Sequence, residues 1–75
     1  MKYPTGVELH NGKIRITFIY RGIRCREALQ GWVVNSSNIK KAGNLHAAIV
    51  SEIQLGKFDY ADRFPESKAL KKFSS

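Results

Sequence analysis

Lys13-Ile14-Arg15-Ile16-Thr17-Phe18-Ile19-Tyr20-Arg21-Gly22-Ile23-Arg24-Cys25-Arg26 alternates apolar and polar residues on both sides of an Arg-Gly pair. A period of two marks a half-buried strand, and a glycine-ending dipeptide between two such runs marks a two-residue hairpin turn. The stronger form of that signal, Asn-Gly, stands upstream at Asn11-Gly12 behind a shorter alternating run. Two hairpins in series predict a three-stranded antiparallel meander with strands at 7–10, 13–20 and 23–29.

Two-residue turns also set the register. Around Asn11-Gly12, His10 falls opposite Lys13, Leu9 opposite Ile14, Glu8 opposite Arg15 and Val7 opposite Ile16. Around Arg21-Gly22, Tyr20 falls opposite Ile23, Ile19 opposite Arg24, Phe18 opposite Cys25, Thr17 opposite Arg26 and Ile14 opposite Leu29. Both hairpins then agree on the faces. Val7, Leu9, Ile14, Ile16, Phe18, Tyr20, Ile23, Cys25 and Leu29 share one. Glu8, His10, Lys13, Arg15, Thr17, Ile19, Arg24 and Arg26 share the other. Glu27 breaks the pattern by landing on the apolar face opposite Ile16, which calls for a bulge or an escape at the sheet edge.

Downstream of the polar cluster Asn35-Ser36-Ser37-Asn38, apolar residues recur at Ile39, Ala42, Leu45, His46, Ile49, Val50 and Ile53, the spacing of an amphipathic helix. A Ser or Asn of the cluster is the expected N-cap, and Gly56 suits the position past the last turn. A helix over 38–55 is about 27 Å long, enough to cross three strands and cover their apolar face. The predicted fold is therefore α+β: a three-stranded antiparallel β-sheet packed against one C-terminal α-helix. Phe58, Tyr60 and Phe64 with Pro65 read as a turn that tucks aromatics against the end of the core. From Glu66 the composition shifts to Ser and Lys, so residues 1–65 are read as the domain and 66–75 as the start of a linker. Lys68, Ala69, Leu70, Lys71, Lys72 and Phe73 have the spacing of a short amphipathic segment.

With 75 residues, 43% of them hydrophobic, the chain holds one small domain with a thin core. Thirteen Lys and Arg against six Asp and Glu give a net charge of +7, which favours a polyanionic partner. One cysteine cannot form an internal disulfide, and with His10 and His46 it makes no zinc-ligand set, so no metal or cofactor is expected and a reducing, cytoplasmic home is. No apolar run approaches the ~18 residues of a membrane span, and no signal-peptide core follows Met1.

The distribution of charge is more telling than its sum. Lys13, Arg15, Arg21, Arg24 and Arg26 fall in a stretch without an acidic residue, and four of them lie on the uncovered sheet face. A twisted sheet of that width fits the major groove of B-form DNA, about 12 Å across. Arginine can grip guanine O6 and N7 bidentately, Thr17 can hydrogen-bond a base edge, and Ile19 can touch a thymine methyl. The competing reading is a sheet face that is polar only because it is solvated, although such faces usually mix signs.

Five stretches stand in a distinctive order and spacing: Met1-Lys2-Tyr3-Pro4-Thr5-Gly6-Val7, Ile14-Arg15-Ile16-Thr17-Phe18-Ile19-Tyr20-Arg21-Gly22, Arg24-Cys25-Arg26-Glu27, Gly56-Lys57-Phe58-Asp59-Tyr60 and Phe64-Pro65. Together they resemble the N-terminal arm-type DNA-binding domain of phage and prophage integrases of the tyrosine recombinase family. The resemblance spans nearly the whole chain. It implies a sheet that enters the major groove of arm-type sites flanking the recombination core, with Arg15, Thr17, Ile19, Arg24 and Arg26 facing the groove. It further implies a longer parent protein, whose core-binding and catalytic domains, the latter with a tyrosine nucleophile, would follow this one. Gln30-Gly31-Trp32-Val33-Val34 departs from the commoner form, in which a shorter polar turn follows the third strand.

Other residues keep two readings. His10, beside the first turn on the basic face, is either a phosphate contact or solvated. Lys40 and Lys41, early in the helix where the dipole disfavours cations, either meet a phosphate or are solvated. Cys25 reads as a buried small hydrophobe, His46 as a core or boundary histidine, and Trp32 as the plug of one core end. The DNA-binding candidates are thus His10, Lys13, Arg15, Thr17, Ile19, Arg24, Arg26 and Lys40, with no catalytic residue among them. Double-stranded DNA and the remaining integrase domains are the expected partners. The alternatives are an RNA-binding sheet that stacks bases on exposed aromatics, and a protein-interaction module with incidental charge.

Overall fold

The computed structural model describes residues 3–65, 67–68 and 70–73, the last two of these by their backbone alone. Met1 and Lys2 of the first resembling stretch lie outside them, as do Glu66, Ala69, Ser74 and Ser75. Three strands, β1 (Val7–His10), β2 (Lys13–Tyr20) and β3 (Ile23–Ala28), form one antiparallel sheet in the order β1-β2-β3. The chain continues into α1 (Ser36–Gln54), then two single-turn helices, α2 (Tyr60–Arg63) and α3 (Leu70–Phe73).

Both turns have left-handed backbone at their two central residues: Asn11 at φ 52° and Gly12 at 74°, then Arg21 at 53° and Gly22 at 76°. That is type I′ geometry, whose twist matches the strands it joins. Arg21 takes the left-handed conformation without glycine's freedom, and its guanidinium carbon lies 5.1 Å from the centroid of the Tyr20 ring. The expected register is present at every strand pair, from Val7 opposite Ile16 to Tyr20 opposite Ile23. β3 ends at Ala28, one residue early, yet the Leu29 N–H still donates to the Ile14 carbonyl at 2.8 Å.

No bulge rescues Glu27. It stays in register opposite Ile16 on the core side of the edge strand. There its Oε2 accepts hydrogen bonds from the Tyr60 hydroxyl and, at 2.7 Å, from Ser67 Oγ. The half-buried carboxylate is satisfied by the C-terminal segment rather than by solvent. Burial, and then the bond to Glu27, push the Tyr60 hydroxyl pKa far upward.

α1 starts two residues before the expected position because Asn35 is the cap, its Oδ1 accepting from the Asn38 N–H at 2.8 Å. At the other end Gly56 N–H donates to the Ile53 carbonyl and Lys57 N–H to the Glu52 carbonyl, the paired bonds of a Schellman stop. The helix does not cover the whole sheet. It packs mainly on β2 and β1 through Ile39, Ala42 and Ile49. The rest is covered by Phe58, Tyr60 and Phe64, whose rings lie 5.7, 5.8 and 6.0 Å from Phe18. Helix length alone did not decide coverage, because a second apolar segment competes for the same face.

Val7, Ile14, Ile16, Phe18, Cys25, Leu29, Ile39, Ala42, Ile49, Phe58 and Tyr60 are the buried core, with Trp32 packed against it as the expected plug. Leu9 and Ile23, beside the hairpin tips, remain exposed on the nominally covered face. The N-terminal segment straps α1: Pro4 lies over Gly43, and the His46 ring fills the space beside Gly6.

Candidate nucleic-acid interface

Because α1 and the aromatic segment occupy one side of the sheet, strand alternation sends the remaining side chains out on the other. β2, the central strand, carries Lys13, Arg15, Thr17 and Ile19 at every second position. β3 sets Arg26 beside Thr17 and Arg24 beside Ile19. β1 sets Glu8 beside Arg15 and His10 beside Lys13. Three strands at about 4.8 Å spacing make a platform about 10 Å across, with side chains extending beyond it.

Arg24, Arg26, Lys13 and His10 are exposed, and Ile19, at 62%, is the most exposed large apolar residue of the sheet. An isoleucine this open within a strand, with Arg24 beside it, costs apolar surface that no part of the domain covers. Thr17 is half-buried and lines a shallow groove of about 560 Å³ with Thr5, Gly6, Ile19, Arg24 and His46. Lys13 Nζ donates to Gln30 Oε1 at 3.3 Å, which ties the first hairpin to the segment after β3.

Arg15 differs from the other cations. Its Nη2 donates to Glu8 Oε2 at 2.9 Å, its side chain is 19% exposed, and its Nε is buried without a hydrogen-bond partner. The hydrogen bond from Arg15, then the charges of Arg15, Arg26 and His10, hold the Glu8 carboxyl below the usual carboxylate range against a smaller opposing effect of burial. The face is therefore basic with one negative point at neutral pH. Alternation and register were enough to put Glu8 on this face, but its pairing with Arg15 was not part of the expected site.

Seven of the eight expected residues, His10, Lys13, Arg15, Thr17, Ile19, Arg24 and Arg26, come together on this face. Lys40 does not. It is exposed on α1, one position and thus about 100° round from the buried Ile39, in the layer behind the sheet. Among the described residues no helix is long and apolar enough to cross a membrane.

A three-stranded sheet with one face sealed by a helix and an aromatic segment and the other rich in cations defines a small polyanion-binding module. Its membership is specific: residues 4–68 match the family described as the Arm DNA-binding domain, and the chain belongs to that family. It is 61% identical over 66 residues to the prophage integrase IntR of Escherichia coli (strain K12), an overlap that covers 88% of this chain and 16% of that protein. No solved structure is significantly similar to it.

Proposed function

We infer that the chain binds duplex DNA in a sequence-specific way, with its uncovered sheet face in the major groove, as the arm-site module of a phage-type site-specific integrase. Membership of the Arm DNA-binding domain family makes DNA the partner. The observation that carries the finer reading is the cluster of exposed Ile19, Arg24 and Arg26 with half-buried Thr17, which mixes guanine, thymine-methyl and hydroxyl chemistry on the uncovered face. A face built only for charge would not keep an exposed isoleucine there. Base stacking as in RNA-binding sheets is disfavoured, since Phe18 is buried and Tyr20 packs against Phe58 on the covered side.

In this reading residues 1–65 are the binding unit and 66–75 begin the linker to core-binding and catalytic domains, which hold the recombinase chemistry. The chain spans about one-sixth of the length of its relative, and the relative's name supports an integrase as parent. The direct test is a titration of duplex DNA at several salt concentrations. With about five side chains on phosphates, log K should fall against log salt with a slope of about −4 to −5. Affinity that stays flat from low to moderate salt would remove the proposal.

A further inference from the structure

We propose that Glu8 is a specificity-determining residue: joined to Arg15, it forms a single reading unit for a guanine–cytosine pair. This rests on the major-groove reading above. Among the described strand residues Glu8 is the one carboxylate on the uncovered face, opposite Arg15 on the central strand and bonded to it at 2.9 Å. A carboxylate on a DNA-facing surface is repelled by every phosphate that approaches, so its place there needs a role in binding. What the carboxylate does there is orient a guanidinium and present an acceptor.

The chemistry of the groove says which base pair suits that arrangement. Across the major groove a guanine–cytosine pair offers N7 and O6 as adjacent acceptors and then the cytosine N4 amino donor; in an adenine–thymine pair the donor N6 stands between two acceptors. Arginine followed by glutamate presents donors and then an acceptor, which complements the first order and not the second. The Arg15–Glu8 bond uses one nitrogen and one oxygen, leaving Arg15 Nη1 and Glu8 Oε1 for a base edge. Arg15 is also the more enclosed of the two, at 19% exposure against 41% for Glu8, with Nε buried. Its guanidinium is thus anchored before DNA arrives, so less side-chain freedom is lost on binding. The depressed Glu8 carboxyl keeps the acceptor charged at neutral pH.

The experiment is selection from a random duplex pool by the 75-residue chain, its Glu8→Ala and Glu8→Gln variants and Arg15→Ala, with circular dichroism as the check on folding. Wild type should select a motif containing a guanine–cytosine position whose preference falls about tenfold in Glu8→Ala, and the same position should weaken in Arg15→Ala. Affinity of Glu8→Ala for the unselected pool should rise, because a repulsive charge is gone. If Glu8→Ala fails to fold, Glu8→Gln carries the same test with a smaller expected loss. A motif unchanged in Glu8→Ala, or weakened equally at all positions, overturns the inference and leaves the major-groove reading standing. A wild-type chain that selects no motif overturns both.

Discussion

Gly6 and His46 meet where the strap before β1 crosses α1. Gly6 has φ +79°, and a Cβ there would lie 2.2 Å from the His46 ring, so Gly6→Ala meets a clash as well as a disfavoured backbone. The variant should lose more than the ~1–2 kcal/mol that left-handed backbone alone costs an L-residue, read as the shift of the urea midpoint. Single residues also separate reading from attraction on the sheet face. Arg24 and Arg26 lie on β3 across from Ile19 and Thr17 of the central strand, whereas Lys13 borders the first turn and Lys40 is behind the sheet. Arg24→Ala or Arg26→Ala should cost about 1–3 kcal/mol on a selected duplex and narrow its margin over scrambled DNA. Lys13→Ala should weaken both duplexes by similar factors, and Lys40→Ala should change neither. Equal losses on both duplexes for the arginine variants would mean that sequence is read elsewhere.

At the scale of elements, the helix and the C-terminal segment each hang on a small number of polar bonds. Asn35→Ala removes the acceptor of the Asn38 N–H and should cost about 1 kcal/mol, a drop of about 4–8 °C in Tm for a domain of this size. Tyr60→Phe removes the donor to Glu27 while keeping the ring among Phe18, Phe58 and Phe64. Since the acceptor is a carboxylate, the loss should be about 1.5–3 kcal/mol by urea unfolding. The Tyr60 bond is also where local pattern fell short. Strand alternation put Glu27 on the apolar face, where it stays, and offered a bulge or an escape at the sheet edge as the remedy. The actual remedy is a hydroxyl 33 residues away, invisible to any rule about neighbours.

For the whole molecule, acid is the informative variable. Glu8 is held below the usual carboxylate range by its bond to Arg15, and Glu52 by its bond to Arg63. In both, the unfolded chain binds its proton at higher pH than the folded domain does, so the stabilisation is present above about pH 4.5 and lost as pH falls through the depressed folded values. Tm should therefore fall between about pH 5 and pH 3, and a Glu8→Gln, Glu52→Gln double variant should lose less over that window. Equal acid sensitivity of the double variant and the parent would mean that neither pair contributes.

Period-two alternation and two turn dipeptides were sufficient for the strands, their register and the division into an apolar and a basic face, because all three follow from local backbone geometry. A helical period with a polar cluster before it and Gly56 after it was sufficient for α1, for the same reason. Other features depended on which distant segments compete for the same surface. Those are the sharing of the sheet between α1 and the ring cluster of Phe58, Tyr60 and Phe64, the capture of Glu27 by Tyr60 and Ser67, and the close approach of His46 to Gly6. Lys40 is the mixed case. The helical period already put it on α1, behind the sheet, but that it faces solvent there follows from the packing of Ile39 and Ala42 against the sheet, and only tertiary structure carries that information.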